Sequence, residues 1–305
     1  MTAPVVARTS GGTWDPTSPN LVFLAGTLDN IARASNPYSL VAVNEINTQK
    51  DRDTVARLSD SSSILLDSGV FSLAMDHARR HGVSHDVALN TPPEEIDGFD
   101  RLWDRYCDLA VSLEERLWGV IELDLGGREH KPRTRARIKA ETGIDPIPVY
   151  HPFGDGWDYY DEIASTHDRI CFANLVKAAP PSRLRLMWTA AERARQYPHL
   201  WTHLLGVTPS GTYLSMPMRG SCDSSGWLHA LRWSAQSWKS WAMLNRGMRE
   251  GHYLEGLRYL YGVEEDHPAS HWREVDLLCA MARFQQVTVE ALHYDTHPLR
   301  PRPEA

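Results

Sequence analysis

Leu65-Leu66-Asp67-Ser68-Gly69-Val70-Phe71-Ser72 is an apolar run that ends in a carboxylate and then turns sharply on Ser-Gly. A buried strand of this kind aims its last side chain into whatever space lies beyond the sheet. Working outward, short apolar runs recur at 21–25, 40–43, 64–66, 118–123, 147–150, 170–173 and 203–207, and a weaker one leads into Cys222-Asp223. Most are too short for buried helices. Helix-like stretches lie between many of them, such as 132–142 closed by Gly143 and 181–197 ended by Pro198. Strand and helix in alternation imply parallel α/β architecture. Eight strand candidates predict a (β/α)₈ TIM-type barrel, a fold of ~250 residues. An open doubly wound sheet is the alternative, but no Gly-rich phosphate loop follows the first strand.

The expected organisation is a flexible lead-in over 1–19, a barrel over 20–240, a C-terminal helical segment over 241–297 and a loose tail over 298–305. The gap between Leu66 and Trp118 is expected to hold helices and an insertion. Net charge is −7, so any nucleic-acid contact must come from a local basic patch rather than from bulk charge. Four cysteines, Cys107, Cys171, Cys222 and Cys279, form no CxxC pair. No apolar run approaches membrane-span length, and the polar first twenty residues do not read as a signal peptide. A soluble cytoplasmic protein with free thiols and no membrane partner is expected.

In a barrel of this class, reacting groups sit at the C-terminal ends of strands. Those ends carry Asp67, Asp124, His151, Asn174, Gly206 and Asp223. Asp223, in Ser221-Cys222-Asp223-Ser224-Ser225-Gly226-Trp227, is the candidate nucleophile, forming a covalent sugar–enzyme intermediate. Asp67 is the candidate acid/base beside it, as in retaining glycosidases. Both also fit ordinary Asx turns. Asp124, before Gly126-Gly127, suits the paired donors of a guanine-like base, or a salt bridge to a downstream arginine. Glu122, read as having opposite strand parity, is expected to point away from the barrel interior. His151 is read as a base contact, a second proton carrier or a structural histidine. Ser68, Phe71, Asn174, Leu175 and Gly206 complete the candidate substrate contacts.

The run from Arg128 to Lys139 places Arg128, Lys131, Arg133 and Arg135 on the expected rim, where they suit phosphate, or form a solvated helix face. Of eleven tryptophans, Trp227, Trp233, Trp238 and Trp241 fit stacking on bases but fit core packing at least as well. His267, His271 and Cys279 are too loosely spaced for a zinc site, so no metal and no cofactor is expected.

Taken together, these motifs resemble the tRNA-guanine transglycosylase superfamily. Asp67-Ser68-Gly69-Val70-Phe71-Ser72 looks like its Asp-Ser-Gly-Gly-Phe-Gln motif, whose Asp is the general acid/base. Asp124 falls where the family's base-recognising aspartate lies, and His151 where the tRNA enzymes have a base-contacting glutamine. Phe172-Ala173-Asn174-Leu175 resembles the Gly-Gly-Leu-Ala segment. His203-Leu204-Leu205-Gly206-Val207 resembles the Tyr/His-Leu-Met-Gly-Val strand, and Asp223 matches the nucleophile that follows it. The three-cysteine-and-histidine zinc site of the tRNA enzymes is missing. Ser72 and Ser224-Ser225-Gly226-Trp227 look like the 7-deazaguanine DNA transglycosylase branch of bacteriophages and bacterial DNA-modification islands.

The resemblance implies exchange of guanine in DNA for a 7-deazaguanine such as preQ0. The alternatives are the same chemistry on tRNA, a barrel glycosidase acting on small nucleosides or sugars, and a non-catalytic nucleic-acid-binding barrel.

Overall fold

A computed structural model describes residues 12–15, 20–34, 36–207 and 218–225. Eight parallel strands follow one another: β1 (Leu21–Leu24), β2 (Tyr38–Ala42), β3 (Ser63–Asp67), β4 (Leu117–Val120), β5 (Val149–Tyr150), β6 (Arg169–Phe172), β7 (Trp201–Leu204) and β8 (Gly220–Ser224). Their lateral order is β4-β3-β2-β1-β8-β7-β6-β5. A parallel bridge between Ile121 and Ile147 joins the two ends, so the sheet curls into a (β/α)₈ TIM-type barrel. Every expected strand is present, with its bounds moved by a few residues.

Among the described residues, eight α-helices cover the outside: α1 (Leu28–Ala34), α2 (Gln49–Leu58), α3 (Val70–His81), α4 (His85–Asn90), α5 (Phe99–Leu113), α6 (Gly127–Thr142), α7 (Trp157–Thr166) and α8 (Pro180–Ala194). The long gap before β4 holds α3, α4 and α5. Helix α6 starts five residues before the expected 132, because Gly126 in the left-handed region turns the chain directly into it. Its far end is closed by Gly143, also left-handed, as expected.

Strand alternation separates two apolar layers. Leu21, Phe23, Leu40, Leu65, Val149, Cys171 and Trp201 fill the barrel interior. Their strand neighbours Val22, Leu24, Val41, Ile64 and Leu66 pack outward against helices. Asp67 lies two residues beyond Leu65 and Asp223 two beyond Ser221, so both carboxylates inherit the inward direction. Beneath them, Trp14 stands edge-on to Trp118 and Trp201, at 4.9 and 5.1 Å between ring centroids.

Strand β4 departs from simple alternation. Its pairing with β3 shifts by one residue, from Ile64↔Leu117 to Leu65↔Gly119, which makes a bulge at Trp118. A Cβ on Gly119 would stand 2.7 Å from Ile147 Cδ1 and 2.9 Å from an Arg169 nitrogen, so any larger residue there must displace the ends of those two side chains. Glu122 does point outward, but parity alone does not separate it from Asp124, two residues on. The chain stops alternating at Leu123, which joins the outer apolar layer, and this frees Asp124 to reach the barrel mouth.

The expected segments 241–297 and 298–305 lie outside the described residues, as do the 226–240 part of the barrel span and most of 1–19.

Candidate functional site at the barrel mouth

A cavity of about 310 Å³ opens at the C-terminal ends of the strands. Strands β2 to β8, or the turns directly after them, all contribute to its wall. Asp67 ends β3, and the backbone N–H groups of Ser68 and Gly69 hold its carboxylate. This arrangement depends on Gly69, at φ +75°, which delivers the chain straight into α3. A Cβ there would come within 2.7 Å of Asn44 Oδ1. Ser68 is buried under the turn, and Phe71 projects from the first turn of α3, 50% exposed, against the His85 ring.

Asp223 approaches from β8. Its Oδ1 accepts a 2.7 Å hydrogen bond from the N–H of Gly206, which has φ +69°. Across the cavity, His151 Nε2 donates to Asp124 Oδ2 at 2.6 Å. Asn174, at φ +60°, is the one non-glycine residue with positive φ among the described residues, and it lines the same cavity. Backbone strain of this kind concentrates at functional sites.

These carboxylates do not share one electrostatic environment. Burial, then the neighbouring charges of Asp223 and Asp124, push Asp67 up to about 7. Burial would also raise Asp124, but the hydrogen bond and charge of His151, with Lys131 behind, outweigh it and hold Asp124 below its ordinary value. Burial raises Glu45, which accepts from the backbone of Leu28 at the start of α1. Among the described residues, the cavity wall contains no lysine or arginine. The carboxylates of Glu45, Asp67, Asp124 and Asp223 in that wall present acceptors to hydrogen-bond donors of a ligand.

Asp67, Ser68, Phe71, Asp124, His151, Asn174, Gly206 and Asp223 thus meet around one space. Leu175 does not: it is buried in the outer apolar layer, where the 3₁₀ turn Leu175–Lys177 begins. The basic run is also placed otherwise than expected. Lys131 is fully buried, and its ammonium donates to Asp155 at 2.6 Å and to the Val149 carbonyl. Arg135 turns inward to Glu122 at 2.7 Å and to the Tyr159 hydroxyl. Neither can present its charge to phosphate, because both neutralise carboxylates inside the fold. Arg128 pairs with Asp158 and Glu162 on α7. Arg133 is exposed on α6. The tryptophans from Trp227 to Trp241, and His267, His271 and Cys279, lie outside the described residues.

Two residues at the site, Asn44 and Glu45, escape a reading by motifs, and a third, His203, is quoted in a motif but given no role. Asn44 follows β2, and its Oδ1 is a buried acceptor without a hydrogen-bond partner. Glu45 comes next in the chain. Both sit just past the end of an apolar run, the rule that singled out Asp67, and would have been found by applying it to β2. His203 lies inside β7, on the inward face with Trp201, where alternation marks it. Among the described residues, no group of three or more His, Cys, Asp or Glu side chains is arranged to hold a metal ion. No helix among them is long and apolar enough to cross a membrane.

No protein-family model and no curated protein matches the chain. Solved structures do. A candidate fructose-1,6-biphosphate aldolase from Coccidioides immitis is 11% identical with a TM-score of 0.44, over 92% of this chain and 90% of that one. A protein from Aquifex aeolicus VF5 is 13% identical with a TM-score of 0.42, over 88% of this chain and 94% of that one.

Proposed function

We propose that this chain is a pentosyl-transferring enzyme that exchanges a guanine base in DNA for a 7-deazaguanine such as preQ0. One observation carries the reading. Two carboxylates of one cavity are driven apart, Asp67 up to about 7 and Asp124 below its usual range, with a third carboxylate, Asp223, facing them. Divergent environments of this kind mark acid/base assignments.

In the first half-reaction an Asp223 oxygen attacks C1′ of the sugar. The C1′–N bond breaks, its electron pair leaves on the guanine, and Asp67 gives that base a proton. In the second, the incoming base returns a proton to Asp67 and its ring nitrogen attacks C1′. The sugar–Asp223 ester bond breaks, and the carboxylate regains its electron pair. A group titrating near 7 can do both jobs at neutral pH. Asp124, held ionised, accepts from the N1–H and exocyclic amine of the base, oriented by His151. The target nucleotide must leave the base stack to enter. Ser72 and the residues after Asp223 favour DNA over tRNA through the family resemblance.

The test is incubation of the full chain with radiolabelled guanine and either duplex DNA or tRNA, counting label in each polymer. Label in DNA, lost in Asp223→Ala with the fold retained, is the expected result. Label in tRNA alone changes the polymer. Sugar hydrolysis with no incorporation, or exchange by Asp223→Ala, overturns the reading.

A further inference from the structure

His203 is 1% exposed, and its Nε2 has no hydrogen-bond partner within the fold. That nitrogen stands 3.4 Å from Asp223 Oδ1. Its other nitrogen, Nδ1, is 2.8 Å from Ser221 Oγ, which also accepts from Trp201 Nε1 at 2.9 Å. These four side chains form one line from the tryptophan layer up to the cavity, all on the inward faces of β7 and β8, which pair His203 with Ser221.

Proton bookkeeping fixes the direction of that line. The indole N–H can only donate, so it occupies a lone pair of Ser221 Oγ. The serine keeps its own proton, free to go to Nδ1. A bare Nε2 facing a carboxylate would set lone pair against lone pair in a buried place, whereas an Nε2–H faces it with the opposite sign. Ser221 therefore donates to Nδ1, and His203 carries its proton on Nε2.

From this geometry we infer that His203 is a positioning residue for the attacking carboxylate, an inference that rests on the reading of Asp223 as nucleophile. Gly206 N–H and His203 Nε2–H both address Oδ1. With both donors on Oδ1, the plane of the carboxylate is fixed at one oxygen. The 3.4 Å separation is long for a hydrogen bond; the contact tightens as the carboxylate is oriented for attack.

The experiment has two arms on the full chain. In the first, long-range ¹H–¹⁵N spectra of protein labelled in histidine report which ring nitrogen of His203 bears a proton, with the signals assigned by their loss in His203→Gln. A protonated Nε2 is expected; a bare Nε2 with the proton on Nδ1 overturns the inference, whatever the activity. In the second, the guanine-incorporation assay compares His203→Leu with His203→Gln, whose amide places an N–H near the position of Nε2. The leucine variant should lose roughly ten- to a hundredfold in kcat, the worth of a hydrogen bond to a charged group. Its KM for guanine should stay within about threefold, and glutamine should restore most of the rate. Equal losses in both variants, or a rise in KM alone, would reduce His203 to packing. Failure of the wild type to exchange any base removes the proposed reaction, and the spectra then still decide whether His203 presents Nε2–H to Asp223.

Discussion

Two buried polar clusters flank the His151–Asp155 turn, and they are built on opposite electrostatic rules. At the seam between β4 and β5, every carboxylate has a cation: Glu122 has Arg135, and Asp155 has Lys131. The Glu122 side chain also accepts from the Val149 N–H at 2.6 Å, completing a ladder that two-residue β5 cannot finish with backbone alone. At the mouth, Asp67, Asp124 and Asp223 face one another around a wall without lysine or arginine among the described residues. Pairing at the seam serves closure of the barrel; at the mouth His151 pairs with Asp124 alone, and Asp67, buried beside two other carboxylates, keeps its proton near neutrality. The two clusters are linked, because Asp155 accepts from both Lys131 and the His151 N–H at 2.7 Å. The lysine expected to hold phosphate instead supports, from behind, the residue that orients Asp124.

The largest break in this comparison should come at the seam. Lys131→Met leaves the Asp155 carboxylate buried without its cation, and loss of one partner of a buried pair costs about 3–5 kcal/mol. Urea unfolding followed by tryptophan fluorescence should show that loss, and pairing the change with Asp155→Leu should recover part of it. A loss below about 1 kcal/mol would mean that the seam does not depend on its ion pairs.

At the mouth the same kind of change should have the opposite sign. Asp67 takes its proton near 7 in the folded chain and near 3.8 when unfolded. The folded state therefore holds more protons between those values, and stability falls as pH rises from about 4 to about 7. The penalty at pH 8 is at most roughly 4 kcal/mol. Asp67→Asn should flatten that window and unfold at higher urea than the parent at pH 8. Base exchange should fall by about 10²–10⁴ in both half-reactions. An unchanged pH slope in the variant would show that Asp67 is not the strained carboxyl.

Much of this was legible in the sequence, for reasons that differ by residue. The eight strands announce themselves as short apolar runs, and Asp67, Asp124, His151, Asn174 and Asp223 stand where such runs end. The seam was not legible. Whether Lys131 faces solvent or Asp155 depends on helix α6 meeting the β5–α7 turn, a contact across 24 residues that no local pattern encodes. A basic run reads as surface until its partners are placed. The break in alternation at Leu123 was equally hidden: parity gives Glu122 its outward direction but would send Asp124, two residues on, the same way. His203 stands in a quoted motif, but its role was not legible, because its approach to Asp223 depends on the pairing of β7 with β8.

The smallest effect separates backbone strain from crowding at the mouth. Gly69 and Gly82 bound the same helix, α3, both at positive φ, +75° and +66°. A Cβ on Gly82 meets nothing within 4 Å, whereas one on Gly69 meets Asn44 Oδ1 at 2.7 Å. Gly82→Ala should then cost only the left-handed strain of an L residue, about 1–2 kcal/mol, and leave base exchange at the parental rate. Gly69→Ala carries the same strain and must also displace Asn44 or the turn that holds Asp67. Its loss in urea unfolding should exceed that of Gly82→Ala by a few tenths to about 1 kcal/mol, with exchange slowed about tenfold or more. If the two alanine variants match in both stability and rate, the Asp67 turn is free to shift, and the close fit of Gly69 against Asn44 does not set the position of the proton carrier.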